Sequence, residues 1–421
     1  MKHFLNALLL SLTFSTSAHG AENAHWSAAW TAVPDSPGPA LTAQTIRQVV
    51  RTSIAGSKVR IRLSNLYGTT PVTLGPVHLG AHAGGAQVQA GTDHPLTFAG
   101  KQTVTIATGD SVLSDSVDMQ VPALRNLVVS IYLPQQIGVS TIHGAGMQTA
   151  FMTTAGDLTA AQSFSAEQTD DSRYFLTDVE VLPALASRTF VVLGDSITDG
   201  IGSANDSNAR WTDALATRLQ GDPRLASIAV VNAGIAGNRL LNDAAEPFVG
   251  PSALSRFKRD VLDKPGVHWV LVHEGINDIT AAQMLTAAKD QVSAAQIIGG
   301  MQTMTARARK NGVKVWGGTL LPFEGTQRFY SEAAEAKRQA VNAWIRSPGA
   351  FDAVVDFDLA LRDPVHPGRL QPDFDSGDHL HPNEAGYRMM ANASDLRLLV
   401  AQPQPSDGGR KTIPAGSAAG R

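Results

Sequence analysis

Residue types suited to acyl transfer recur in the second half of the chain, each in a short block of polar or small residues. The blocks are Gly194-Asp195-Ser196, Ala236-Gly237-Asn238-Arg239, Gly275-Ile276-Asn277-Asp278 and Asp378-His379-Leu380-His381-Pro382. A serine hydroxyl is a weak nucleophile until an adjacent base takes its proton. Imidazole suits that task because histidine ordinarily titrates near neutrality. A carboxylate is then needed to fix the imidazole tautomer and stabilise the imidazolium. The spacing Asp378-x-x-His381 puts both side chains on one side of a single turn, facing a serine presented from another loop. Donors for the negative charge that develops on an attacked carbonyl are also present. They are the backbone N–H of Ser196, the backbone N–H of Gly237, where no Cβ blocks close approach, and the neutral side-chain amide of Asn277.

The elements that must carry these blocks are legible in the apolar pattern. From Thr189 onward, continuous apolar runs alternate with helical stretches. "TFVVLGD", "SIAVVNAG", "WVLVHEG", "VKVWGGTLL" and "DAVVDFD" read as strands. "ARWTDALATRLQ", most of Ile279–Lys310, "SEAAEAKRQAVNAWIRS" and the closing "NEAGYRMMANASDLRLL" read as helices. Strands apolar on both faces, alternating with helices, predict a parallel sheet covered on both sides. Ligands on such sheets sit beyond the carboxyl ends of the strands. That is where the blocks lie.

The blocks resemble the SGNH/GDSL hydrolase family, named for its serine, glycine, asparagine and histidine. "GDSITDG" carries Ser196, "AGNR" carries Gly237, "GIND" carries Asn277, and "DHLHP" carries Asp378 and His381, in family order between Thr189 and Val400. The resemblance implies a flavodoxin-like three-layer α/β/α domain and ester hydrolysis through an acyl-serine; the residues themselves make an acyl-transfer site with no metal, and no cofactor is expected. The nucleophile elbow Gly-x-Ser-x-Gly does not apply, because position 198 is threonine. A second Asp-x-x-His-Pro, Asp363 to Pro367, is set aside as a loop, since Pro364 and "GRLQP" follow no helical pattern while His381 leads into one. Asp195, Asp199 and Asp278 are expected to order turns and loop backbone, and His273 and Glu274, at a strand end, to be structural, with a substrate contact the lesser alternative. Arg239 either braces its loop or meets an anionic or sugar substrate. Trp211, spaced helically from Leu215 and Leu219, belongs to the core.

The first half follows a different pattern. In "KVRIRLSNLYG", Val59, Ile61 and Leu63 alternate with Lys58, Arg60, Arg62 and Ser64, and "LVVSIYLP" repeats the device with Leu127, Val129, Ile131 and Leu133. Short alternating strands between Gly- and Pro-rich turns predict an antiparallel β-sandwich of jelly-roll type over residues 25–185, preceding the α/β domain at 188–401. This half also resembles the accessory domain of some secreted family members. Its histidines, His78, His82, His94 and His143, are expected to be hydrogen-bonded or exposed rather than ligands.

Composition bounds the rest. A chain of 421 residues exceeds one ordinary core and predicts two domains. Net charge −3 without a basic run speaks against nucleic acid. The absence of cysteine excludes thiol nucleophiles and thiolate metal sites. "MKHFLNALLLSLTFSTSAHG" has a basic start, an apolar stretch from Phe4 to Phe14 and a small-residue end. That layout predicts a signal peptide over residues 1–20 and a secreted or periplasmic protein. Its apolar run is shorter than the ~20 residues that span a bilayer, and no integral membrane segment is expected after cleavage. The Gly-, Pro- and Ser-rich tail at 402–421 reads as disordered. The expected partner is a small-molecule or glycan ester, short-chain or O-acetyl first, with longer acyl chains (a lysophospholipase or lipase) as the alternative. A glycan-binding module beside a non-catalytic α/β scaffold, and a metal site built from Asp195, Asp199, Asp378 and His381, are competing readings. Oligomeric state is left open.

Overall fold

The computed structural model describes residues 25–243 and 249–400. The signal peptide expected over 1–20 and the tail expected at 402–421 lie outside the described residues.

From Arg188 the chain builds one parallel sheet. In space its strands run Ile228–Gly234, Arg188–Gly194, Val267–His273, Lys314–Gly318 and Ala353–Val355. Every neighbouring pair is parallel. In chain order this is the 2-1-3-4-5 arrangement of doubly wound sheets, with its switch point beside the first strand. Helices α1 (Ser196–Asp199), α2 (Trp211–Gln220), α3 (Ala253–Phe257), α4 (Ile276–Met284), α5 (Ala294–Lys310), α6 (Glu332–Ile345), α7 (Phe357–Leu361) and α8 (Glu384–Ala393) accompany it.

The first strand shows why its run is apolar throughout. Val191 and Leu193 pack into a cluster with α3, α4, α5 and α6, through residues such as Phe257, Ile279, Met301 and Val341. Phe190 and Val192 pack on the other face with Trp211 and Leu215 of α2, Phe357 of α7 and Tyr387 of α8. The sheet is therefore the middle of three layers, α/β/α. Trp211 is fully buried against Phe357, as expected of a core residue.

Two local expectations need correction. The stretch read as mostly helical from Ile279 begins at Ile276 and breaks between Met284 and Ala294, where only a 3-10 turn at Ala288–Asp290 intervenes. Ser293 then starts α5 afresh with a capping box to Gln296. The closing helix stops at Ala393, because Ser394 is extended, and resumes only as a 3-10 turn at Leu396–Leu399. A π-helical segment, Lys258–Leu262, continues α3 and was not anticipated.

The first half is β-rich, with strands paired antiparallel in five- and seven-stranded sheets and two smaller ones. Val59, Ile61 and Leu63 of one sheet and Ile46, Val129 and Ile131 of the other enter one apolar cluster. The alternation expected along Asn126–Leu133 holds on one face only, since Val128 and Ser130 are buried too. The cause is Arg47, which is fully buried on that opposite face. It donates to Ser130 Oγ (2.8 Å) and to the carbonyls of Ala86, Leu158, Thr159 and Ala161, drawing loops over the sheet.

The two halves are joined by polar contacts as well as packing. Ser53 Oγ accepts from Val230 N (3.1 Å), Lys264 pairs with Asp178, and Asp206 accepts from the backbone and hydroxyl of Thr149 (2.7 and 2.6 Å).

Candidate active site

The first strand ends at Gly194, and Asp195 caps α1 by accepting from Ile197 N (3.0 Å), so Ser196 is the first residue of a helical turn. A Cβ at Gly194 would collide with Thr198 and with the His273 carbonyl, so glycine lets α1 seat directly on the strand end. Burial pushes the Asp195 carboxyl up to about 7, over the lowering effect of its hydrogen bond from Ile197 N. It orders the turn, as expected.

Ser196 Oγ lies 2.8 Å from His381 Nε2, and His381 Nδ1 lies 2.5 Å from Asp378 Oδ2. The other Asp378 oxygen accepts from Leu380 N (2.9 Å) and His381 N (2.8 Å), so the pair does share one turn. Partial burial alone would raise the Asp378 carboxyl. Hydrogen bonds from the His381 ring and amide and the Leu380 amide outweigh it and hold the group well below the usual carboxylate range. His379 takes a left-handed backbone, φ 65°, between them. Asp375 locks that conformation by accepting from His379 N (3.0 Å) and bonding its ring. Asn383 then caps α8.

Gly237 and Asn277 line the same cleft as Ser196 and His381. Gly237 has φ 73°, and a Cβ there would collide with Val249, so both conformation and space require glycine. Among the described residues its N–H takes no protein acceptor. The Ser196 N–H, first in α1, has no intrahelical acceptor. Asn277 donates one amide hydrogen to the Asn238 carbonyl (2.9 Å), which fixes its side chain and leaves the second hydrogen free. The site residues read from the sequence are thus brought together: a hydroxyl bonded to an imidazole, the imidazole bonded to a carboxylate, and three N–H groups beside them. This arrangement can transfer a proton from serine as it attacks a carbonyl and stabilise the oxyanion that forms.

The set-aside residues also find places. His366 is exposed, its backbone N–H taken by Asp363, and it does not line the cleft. Arg239 does line it, but its guanidinium is engaged by Asp290 (2.6 Å) and the Asp243 carbonyl (3.0 Å), so it braces the loop. Asp278 accepts from Leu240 N and Leu241 N, and Asp199 from Ala236 N, as loop-ordering residues should. His273 is buried, and burial lowers it to about 4, which keeps it neutral. Among the described residues no three His, Asp or Glu converge to hold a metal ion.

One central residue was missed. Arg256 of α3 is buried beneath the site. It donates to the carbonyls of Gly194 (3.1 Å) and Ala233 (2.7 Å), to Asn238 Oδ1 (3.0 Å) and to Glu274 (3.2 Å). It therefore ties together the ends of the parallel sheet's first three strands in chain order and the loop bearing Gly237. Asn238 completes the knot by donating to the Val249 and Pro251 carbonyls. Replacing Arg256 by methionine strands these acceptors in the interior and is expected to lower stability by about 3–5 kcal/mol. Urea unfolding measures this, and a loss below ~1 kcal/mol would show the knot to be dispensable.

Residues 192–389 match the family described as GDSL-like Lipase/Acylhydrolase. No curated protein matches the sequence. Among solved structures, the chain is similar to a catalytic mutant of an acetylxylan esterase from Geobacillus stearothermophilus (22% identity, 51% of this chain and 95% of that one, TM-score 0.39). It is also similar to an aryl esterase of M. smegmatis (17% identity, 49% and 96%, TM-score 0.39). A third is a GDSL-like lipase from Bacteroides thetaiotaomicron (22% identity, 49% and 85%, TM-score 0.35). The family match, the sheet order and the motif blocks agree that residues 192–389 form a GDSL-like lipase/acylhydrolase domain.

Proposed function

We propose that the protein is a secreted or periplasmic serine esterase that hydrolyses carboxylic esters through an acyl-serine. The observation carrying this reading is the 2.8 Å contact between Ser196 Oγ and His381 Nε2 at the floor of a cleft also lined by Gly237 and Asn277. His381 takes the Ser196 proton as the oxygen bonds to the ester carbonyl carbon, and Asp378 stabilises the imidazolium. The N–H groups of Ser196, Gly237 and Asn277 receive the oxyanion. The tetrahedral species collapses, the C–O bond to the alcohol breaks, and His381 returns the proton to the leaving oxygen. Water, activated by the same imidazole, then releases the acid and regenerates Ser196.

The cleft bears on the acyl group. It encloses about 570 Å³, and its walls beyond the polar cluster are largely apolar, including Ile201, Val249, Met284, Leu285, Phe329 and Leu380. A sugar would need several hydrogen-bonding partners there, whereas an acyl chain needs only apolar surface. The lining thus favours acyl groups longer than acetyl over the O-acetyl glycan reading. Each buried methylene contributes about 0.8 kcal/mol. On p-nitrophenyl esters, kcat/KM is accordingly expected to rise about 3- to 4-fold per methylene from acetyl until the cleft is full. A steady decline from acetyl, with acetylated xylan turned over faster, would overturn this assignment.

Two sheets sharing one apolar cluster support a sandwich arrangement for residues 25–185. Export is proposed from reading residues 1–20 as a signal peptide, and N-terminal sequencing of the mature protein, with Ala21 expected first, checks it.

A further inference from the structure

His143 ends the Ser140–His143 strand of the β-rich half, yet its ring is buried against the α/β half, only 4% exposed. Its Nδ1 lies 2.9 Å from the Val33 carbonyl and 3.4 Å from Asp35 Oδ2, and its Nε2 lies 3.0 Å from Asp199 Oδ1. These partners are a carbonyl and two carboxylates, so each ring nitrogen faces an acceptor and must donate. That geometry calls for an imidazolium. Asp199 is the last residue of α1, the turn that Ser196 begins, and its other oxygen accepts the Ala236 N–H (2.9 Å). Ala236 directly precedes Gly237. One carboxylate therefore bridges the turn carrying the nucleophile and the loop carrying an oxyanion donor, and a cation from the other half of the chain holds that carboxylate.

We propose that His143 is a positioning residue for ester hydrolysis, fixing Asp199 so that Ser196 and the Gly237 N–H keep their mutual placement. The proposal rests on the serine-esterase reading above. His143 does not line the cleft and acts only through Asp199. Nor is it needed merely to join the halves, since Lys264 with Asp178, Ser53 with Val230 and Asp206 with Thr149 do so away from this carboxylate. Loss of His143 should therefore be felt at the site before it is felt in the fold.

Asp35 and Asp199 face the His143 ring directly. Arg210 and Tyr387 stand near Asp199, and Tyr67 near Asp35. Burial alone would lower the imidazolium's pKa. Asp199, by charge and hydrogen bond, with Asp35 and the Val33 carbonyl, outweighs burial and lifts it to about 9. A histidine raised in the folded state contributes stability that is complete below its unfolded value of ~6.5. That contribution is lost as pH rises through about 9.

The test compares His143→Gln, Asp199→Asn and the double variant. His143→Gln is expected to lower kcat about 10- to 100-fold, the scale of a small misplacement of reacting groups, with KM within about twofold. The double variant should be no worse than the poorer single one, because both act through one carboxylate. Unsubstituted protein should lose kcat as pH rises through about 9, a limb that His143→Gln lacks. Unchanged kcat in a folded His143→Gln protein, or fully additive effects, would overturn the proposal. Should the variants not fold, ¹⁵N NMR of the native chain decides: both His143 ring nitrogens protonated at pH 7.5 supports it, and a neutral ring refutes it. Ser196→Ala, assayed in parallel, reports separately on the esterase reading.

Discussion

Replacing Ser196 by alanine is expected to lower hydrolysis of p-nitrophenyl butyrate by about 10⁴–10⁶-fold, the range seen when a serine nucleophile is removed from such a constellation. The size follows from what else lines the cleft. The chain has no cysteine, and among the described residues the other hydroxyl lining the cleft, Thr280, is not bonded to His381. The residue left behind can only bind ester and polarise its carbonyl. The fold should be unaffected, because Oγ makes one hydrogen bond to a partly exposed imidazole and the α1 cap depends on Asp195. Circular dichroism and the melting temperature check this. Activity within tenfold of the parent would rule out Ser196 as nucleophile.

The second large effect belongs to Asn277. Its alanine variant should lose about 10²–10³ in kcat, the usual consequence of removing one oxyanion donor. KM should change little, since the donor meets full negative charge only in the transition state. Asn277→Asp should be at least as damaging, because a carboxylate would face the oxyanion it ought to stabilise. A variant that raises KM and spares kcat would instead place Asn277 in substrate binding. The amide also anchors Asn238 (2.9 Å), so the variant's stability must be measured alongside.

The contrast between what the sequence revealed and what it concealed has a physical basis. Ser196, Gly237, Asn277, Asp378 and His381 were legible because each sits where an apolar strand or a helical pattern is interrupted, and a parallel sheet gathers such interruptions at one edge. Asp378 and His381 were clearer still, because their contact is made within one turn. Arg256 and His143 were not legible. Arg256 reaches Gly194, 62 positions away, and His143 reaches Asp199, 56 positions away, and neither distance leaves a local pattern. A buried arginine within a short helix reads as a surface residue, and a lone histidine on a strand reads as an ordinary hydrogen-bonded one. Strand alternation misled at Val128 and Ser130 for the same reason: the loops that cover them are recruited by Arg47 from afar. The breaks at Met284 and Ser394 were missed because their flanks keep helical composition, while capping at Ser293 and Asn383 marks only the starts of the helices that follow or precede them.

The proposed reaction passes an acyl group through Ser196. Its most direct measurement is covalent trapping: incubation of the intact protein with a fluorophosphonate ester, followed by intact mass and peptide mapping. One adduct per chain, on Ser196 and lost together with activity in Ser196→Ala, is the predicted result. An active protein that takes no adduct, or takes it on another residue, would rule out an acyl-Ser196 intermediate.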